Sequence, residues 1–212
     1  MNKKIVFAVF AVIALFEVYL LYQNYRLNYE VGIKNQILQN TTIKLQSMVT
    51  QFSAGIENNG KKINEETVVK DISGKSQSLG SFWANHNGNL LVCRYSEKHC
   101  YQCVDYAIAN FLKSISDFDA QRILFVGDNS NSRVAKLKRE DFGITEYNYI
   151  DCHNLGIPAE EWNFPYYIVI DKMLAVKCIY FPNKSTRHLN LDSANLNLMY
   201  RQLVANELVG NN

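Results

Sequence analysis

The stretch Asn89–Cys103, NLLVCRYSEKHCYQC, contains the elements that decide the fold. Its first seven residues form a predominantly apolar strand, which is typical of the centre of a sheet. A helix is predicted from Cys100 to about Ile115, because apolar side chains recur there at helical spacing. The two residues of the CxxC pair, Cys100 and Cys103, therefore lie where a central strand gives way to a helix.

A cysteine at the start of a helix is expected to be reactive. Unpaired backbone N–H groups and the helix macrodipole favour an anion there, so the pKa of Cys100 should fall and its thiolate should act as a nucleophile. Cys103 follows about one helical turn later, within reach of a mixed disulfide formed by Cys100. A zinc site would need further ligands in a matching motif, and a c-type haem would need histidine where Val104 stands. We therefore predict neither a metal nor a cofactor.

One predicted strand precedes this stretch, and strands and helices alternate after it. The last two predicted strands form a hairpin with a tight connection. Alternation followed by a terminal hairpin and helix predicts an α/β domain with a mixed central sheet and helices on both faces. The predicted strands are Thr67–Ile72, Asn89–Tyr95, Arg122–Gly127, Glu146–Ile150, Tyr166–Asp171 and Leu174–Phe181, and the further helices are Asn131–Asp141 and Asp192–Val209.

The composition of the chain excludes several classes of protein. With 212 residues and 48% hydrophobic content, it has room for one packed domain and an appendage. A net charge of +2 from nearly balanced acids and bases lacks the basic footprint of a nucleic-acid-binding protein. Outside the CxxC pair, Cys93, Cys152 and Cys178 stand singly among apolar or aromatic residues, and each is predicted to be a small buried side chain.

The N-terminal segment is predicted to be a membrane anchor that contacts the lipid bilayer. Ile5–Tyr22 is an apolar run interrupted only by Glu17, and it is just long enough to cross the hydrocarbon core as a helix. A small-x-small cleavage site does not follow the run, which favours an uncleaved signal anchor over a removed signal peptide. Because Lys3 and Lys4 precede it, the positive-inside rule predicts a single-pass protein with a cytoplasmic N-terminus.

A helical stalk is predicted between this anchor and the domain. Gln23 to about Gly55 lacks proline, and apolar residues recur every seven positions from Val31 to Phe52. The second apolar row that a coiled coil requires is poor. A coiled-coil dimer is therefore one hypothesis, and a stalk that packs on the domain or spaces it from the bilayer is the other. The predicted parts are residues 1–22 (cytoplasmic tip and anchor), 23–62 (stalk, with a linker over 58–62) and 63–212 (the α/β domain).

The CxxC pair and its surroundings resemble the thioredoxin superfamily, most closely its membrane-anchored, TlpA-like or redoxin-like branch in bacterial envelopes. The resemblance covers roughly Glu66–Leu208 and is carried by the segments LLVCRY, CYQC, RILFVGD and FPYYIVID. It implies a thioredoxin-like fold and disulfide exchange with protein thiols or disulfides of the envelope, in which Cys100 attacks and Cys103 resolves. It also implies an upstream membrane redox partner and a domain in the periplasm, at the bacterial inner membrane.

The resemblance further implies a substrate-binding surface. Pro165 matches the proline that faces the redox pair in family members, so the Phe164–Pro165 bond is expected to be cis. Tyr101 and Gln102 replace the family's glycine-proline between the cysteines, and these four residues are the predicted substrate contacts. His99 replaces the family's tryptophan, either as a cationic imidazole that stabilises the neighbouring thiolate or as an exposed loop residue.

Three functions stay open at this stage. The first is a thiol-disulfide oxidoreductase, the second a non-catalytic binding module with a static Cys100–Cys103 disulfide, and the third copper delivery by both thiolates and a histidine. Arg94 stands near the position of the buried acid that assists proton transfer in thioredoxin, so we do not assign assistance of proton transfer to any residue here. Arg94 and Lys98 are expected to be solvated charges. Sequence does not decide between reductase and oxidase.

Overall fold

The computed structural model describes residues 3–86, 88–184 and 191–209. The chain divides into two compact units, residues 1–46 and 47–212. A long helix, α1 (Lys3–Asn58), forms the first unit and contributes its last turns to the second. The helix predicted over the stalk is therefore confirmed, whereas the predicted domain boundary after residue 62 stays a prediction.

In the first unit, α1 exposes many of its apolar side chains to solvent. Val31, Leu38 and Leu45 of the heptad row are all exposed. Across the part of the chain that the structure describes, no helix is both long enough and apolar enough to cross a membrane. The side chains at positions 3–9 and 11, which belong to the predicted anchor or flank it, lie outside the described part.

The second unit is built on a mixed sheet in which seven strands are described. β3 runs parallel to β4, and β4 runs parallel to β5, whereas β6 and β7 are antiparallel to their neighbours. The order across the sheet is β2-β1-β5-β4-β3-β6-β7. The predicted mixed sheet with a terminal hairpin is confirmed. The strands are β1 (Val68–Lys70), β2 (Ser76–Ser78), β3 (Leu90–Arg94), β4 (Ile123–Gly127), β5 (Asn148–Asp151), β6 (Tyr166–Ile170) and β7 (Val176–Tyr180).

Helices cover both faces of this sheet, as predicted. Because side chains alternate along a strand, Val92 and Cys93 of β3 enter separate cores on opposite faces. Ala54 of α1 and Trp83 pack in the core with Val92, and Phe111 packs in the core with Cys93. The helices of this unit are α2 (Leu79–Trp83), α3 (Tyr101–Ser114), α4 (Ser132–Asp141) and α5 (Leu191–Val209), with a short 3-10 helix over Pro158–Trp162 before β6.

The end of α1 is hydrogen-bonded into the domain. Gln51 forms two bonds with the backbone of Phe181, from Nε2 to the carbonyl at 2.7 Å and from the backbone N–H to Oε1 at 2.9 Å. Asn58 is fully buried, and its Oδ1 accepts the Ala159 N–H at 2.9 Å while its Nδ2 donates to the carbonyl of Ala54. These side chains therefore join the last turns of α1 to the β7 end and to the 3-10 helix.

The residues predicted as a linker pair with the outer edge of β7. The Gly60 N–H donates to the Val176 carbonyl at 2.7 Å, and the Val176 N–H donates to the Lys61 carbonyl at 2.9 Å. Ile63 continues this pairing through its N–H to the Leu174 carbonyl. An edge strand offers unpaired backbone groups, and here the chain itself covers part of that edge.

The Asn58 contacts give a stability prediction. Asn58→Ala removes the acceptor of the buried Ala159 N–H, so the free energy of unfolding of the domain should fall by about 1–3 kcal/mol. Urea unfolding of the full chain, followed by tryptophan fluorescence, measures this change. Asn59→Ala at the neighbouring exposed position is the matched control, and an equal loss in both variants would contradict the assigned contact.

Candidate active site

The two cysteines of the CxxC pair lie at the start of α3. Cys100 is the N-cap residue, and its carbonyl accepts the backbone N–H groups of Cys103 at 2.9 Å and Val104 at 3.0 Å. Both thiols are free, with Cys100 exposed and Cys103 half-buried. The structure thus places the pair between β3 and a following helix, where the sequence predicted it.

The pKa values of the two thiols are shifted in opposite directions. The pKa of Cys100 is lowered, chiefly because the Cys103 thiol donates a hydrogen bond to it, with help from backbone N–H groups of the first helical turn and the charge of Lys184. Burial raises the pKa of Cys103 to about 11, and the hydrogen bond and negative charge of Cys100 act in the same direction. Cys100 is therefore the more readily ionised thiol, and Cys103 holds its proton.

Lys184 is a site residue that sequence reasoning missed. Its positive charge favours the thiolate form of both cysteines. For Cys103 this effect is outweighed by burial and by Cys100, so the pKa of Cys103 is still raised. It follows β7 by a few residues, and only the folding of the β6–β7 hairpin beside α3 brings it to the pair. Its sequence neighbourhood, Phe181-Pro182-Asn183-Lys184, carries no signal that would have indicated this.

His99 is neither cationic nor exposed, so both sequence interpretations are wrong. It is buried, and its Nδ1 accepts the backbone N–H of Ser96 at 3.2 Å. Burial lowers its pKa to about 4, and the nearby positive charge of Arg94 acts in the same direction. A neutral His99 therefore fixes the loop before the pair instead of supplying charge to Cys100.

Arg94 also departs from its prediction, because its side chain is fully buried. It forms a bidentate ion pair with Glu160, with Nε to Oε1 at 2.9 Å and Nη2 to Oε2 at 3.0 Å. It donates as well to the carbonyls of Cys152 and His153, and the Tyr166 hydroxyl donates to Glu160 at 2.7 Å. A charge can be buried when a partner and hydrogen bonds compensate for lost water. By contrast, Lys98 is exposed, as expected.

The predicted substrate contacts divide into exposed and buried residues. Tyr101 and Gln102 are exposed on the first turn of α3, and Phe164 is 53% exposed. Pro165 is buried. The described residues contain no cis peptide bond, so the predicted cis Phe164–Pro165 bond is wrong and the bond has the intrinsically favoured trans form.

A groove runs beside the CxxC pair, with Phe164 and Cys103 both in its lining. Its volume is about 350 Å³. Trp162 and Phe181 stack in its wall, with ring centroids 4.7 Å apart and an interplanar angle of 19°. The structure therefore brings a predicted substrate contact and the predicted resolving thiol to the same surface, and adds an aromatic pair that the sequence did not reveal.

The remaining cysteines are buried or half-buried. Cys93 and Cys152 are buried, which confirms the prediction for them, and Cys178 is half-buried against the same core as Cys93. Burial raises the pKa of all three thiols, to about 11 for Cys152 and Cys178. Among the described residues, no group of three histidine, cysteine or acidic side chains could hold a metal ion.

The described fold is a mixed sheet covered by helices, with a free thiol pair at the start of α3. No protein-family model and no curated protein matches the chain. Among solved structures, it is similar to a thiol:disulfide interchange protein from Bacteroides sp. (17% identity, TM-score 0.44, covering 58% of this chain and 82% of that one). It is also similar to the thioredoxin domain of a thiol-disulfide oxidoreductase from Bacteroides vulgatus (15%, 0.43, 62% and 94%). A third similar structure is that of a peroxidoxin from Mycobacterium tuberculosis (14% identity, TM-score 0.42, covering 67% of this chain and 97% of that one).

The opposite pKa shifts predict selective alkylation. In the reduced full chain, iodoacetamide should label Cys100 at a lower pH than an ordinary thiol, and Cys103 only at much higher pH, because only thiolates react. Mass spectrometry of peptides labelled over a pH series measures both midpoints. Cys103→Ala should raise the Cys100 midpoint by removing the hydrogen bond, whereas Cys178→Ala should leave it unchanged. Equal midpoints for the two thiols would contradict the assignment.

Proposed function

We propose that this chain is a thiol-disulfide oxidoreductase that exchanges disulfides with other proteins through Cys100 and Cys103. One observation carries the proposal: an exposed thiol with a lowered pKa accepts a hydrogen bond from a half-buried thiol with a raised pKa. Disulfide exchange requires such a division, with one thiolate accessible to the partner and a second thiol held in reserve.

In the reducing direction, the Cys100 thiolate attacks one sulfur of a disulfide in the partner protein. A Cys100–partner disulfide forms, and the partner's other sulfur leaves as a thiolate. Cys103 then loses its proton to solvent and attacks the Cys100 sulfur, which releases the partner's remaining sulfur as a second thiolate. The partner gains two electrons, and the chain ends with a Cys100–Cys103 disulfide. The same steps in reverse oxidise a partner dithiol, and a second redox protein has to restore the starting state.

The proposal includes the location of the domain. The apolar run Ile5–Tyr22 supports an anchor in the bacterial inner membrane, and Lys3 and Lys4 support a cytoplasmic N-terminus. The domain then works in the periplasm on proteins of the envelope. Its electrons pass to or from a membrane redox partner, which keeps the pair cycling.

Trapping of partners tests the proposed exchange. Cys103→Ser should accumulate mixed disulfides with envelope proteins, because an attacked partner cannot be released without the resolving thiol. Non-reducing gels of cells quenched with acid, followed by mass spectrometry, measure the adducts. Cys100→Ser is the matched control and should trap far fewer. Absence of adducts in both variants, together with ordinary thiol reactivity, would favour the static disulfide and the binding module.

A reporter fusion tests the proposed location. Alkaline phosphatase fused after Asn212 should be active, because it folds and forms its disulfides only outside the cytoplasm. Replacing Lys3 and Lys4 with glutamate should lower that activity, since the positive-inside bias is then lost. Activity of a cytoplasm-only reporter fused at the same position would overturn the orientation and leave the redox chemistry untouched.

A further inference from the structure

The groove beside Cys103 is lined by aromatic side chains and by one positive charge. Phe164, Trp162 and Phe181 form the apolar side, and Lys184 lies in the lining together with Cys103. Lys184 supplies the charge among the described residues that line the groove. A lining that holds both an exposed aromatic side chain and a cation offers a place for an apolar group and for a carboxylate in the same groove.

Contacts within the chain hold this groove in shape. Gln51, at the end of α1, binds the backbone of Phe181 through both its amide atoms. Tyr106 donates its hydroxyl proton to the buried carboxylate of Asp192, which also accepts from Tyr180. Both Gln51 and Tyr106 line the groove. Its walls are therefore preformed, and preformed walls reduce the entropic cost of binding.

The position of the thiols identifies what enters the groove. The Cys103 thiol in the lining donates a hydrogen bond to Cys100, so the groove begins next to the attacking sulfur. A partner joined to Cys100 by a disulfide has its reacting cysteine fixed at that end. The residues flanking that cysteine are then the groups that reach Phe164 and Lys184.

From this geometry we infer the partner class: an extended protein segment whose reacting cysteine is flanked by a large apolar side chain and by an acidic residue. The apolar side chain packs on Phe164 and the Trp162–Phe181 stack, and the carboxylate faces Lys184. This inference rests on the proposed function, because the mixed disulfide with Cys100 fixes the segment in place. It adds selectivity between partners, which the thiol chemistry alone does not provide.

Peptides with activated cysteines test the inference. Full-length Cys103→Ser in detergent micelles is mixed with synthetic peptides whose single cysteine carries a 2-nitro-5-thiobenzoate leaving group. Attack by Cys100 joins the peptide to the protein and releases the coloured thiolate, so absorbance gives the rate. The reference peptide has phenylalanine and glutamate beside the cysteine, and two others replace phenylalanine by serine or glutamate by lysine. The same leaving group on mercaptoethanol reports the reactivity of Cys100 itself.

Rates are compared after division by the mercaptoethanol rate. Phe164→Ser should slow the reference peptide about tenfold, as expected for losing burial of an apolar side chain, and should not affect the serine peptide. Lys184→Glu should slow the reference peptide and accelerate the lysine peptide, and both effects should shrink as salt is added. The matched controls, Met173→Ser and Lys172→Glu, change exposed residues at the far end of the β6–β7 hairpin and should leave all ratios unchanged.

Each other outcome overturns the inference in a distinguishable way. A fast mercaptoethanol reaction with equal peptide rates removes the groove's selectivity and leaves the proposed function standing. A mercaptoethanol reaction no faster than that of an ordinary thiol removes the proposed function and the inference together. Peptide rates that fall with rising protein concentration, with a dimeric mass that Phe164→Ser abolishes, would assign the groove to a second copy of the chain.

Discussion

The backbone N–H groups at the start of α3 are the constraint on which the site depends. The first N–H groups of a helix have no partners within the helix, and most helices satisfy them with a side-chain oxygen. Cys100 holds the N-cap position here but makes no capping hydrogen bond through its side chain. The backbone N–H groups of the helix end are therefore free to help the Cys103 thiol lower the pKa of Cys100. Because β3 is buried along its whole length, this helix end has a fixed position after the carboxyl end of a central strand.

A buried ion pair organises the loops around that helix end. Arg94, the last residue of β3, is held by Glu160 of the 3-10 helix, and it also binds two carbonyls after β5. The same 3-10 helix ends at Trp162 and is followed by Phe164, so one guanidinium connects the thiol side of the sheet with the groove wall. Such pairs contribute little net stability, but they penalise alternative arrangements in which either charge is left unpaired.

Local patterns predicted the central part of the fold, but not the details that depend on distant residues. β3, β4 and the β6–β7 hairpin are predominantly apolar segments, so their strands and order of appearance were predictable, as was the position of the CxxC pair. α2 spans five residues, too few for a helical period to show. Arg94 was wrongly expected to be a solvated charge, because its burial depends on Glu160. His99 was expected to be either a cationic imidazole or an exposed loop residue, and both interpretations failed because its burial depends on how the loop folds. Lys184 reaches the thiols only through tertiary structure, and the cis bond was carried over from a resemblance that does not hold at Pro165.

The burial of His99 makes the fold sensitive to acid. An unfolded histidine takes up a proton near pH 6.5, whereas the folded His99 does so only near its pKa of about 4. Between these values the unfolded chain binds more protons than the folded one. The free energy of unfolding of the domain therefore decreases as the pH falls through that window. Above pH 6.5 both states hold a neutral imidazole and this term vanishes. A residue next to Cys100 thus couples the stability of the loop before the CxxC pair to the acidity of its surroundings.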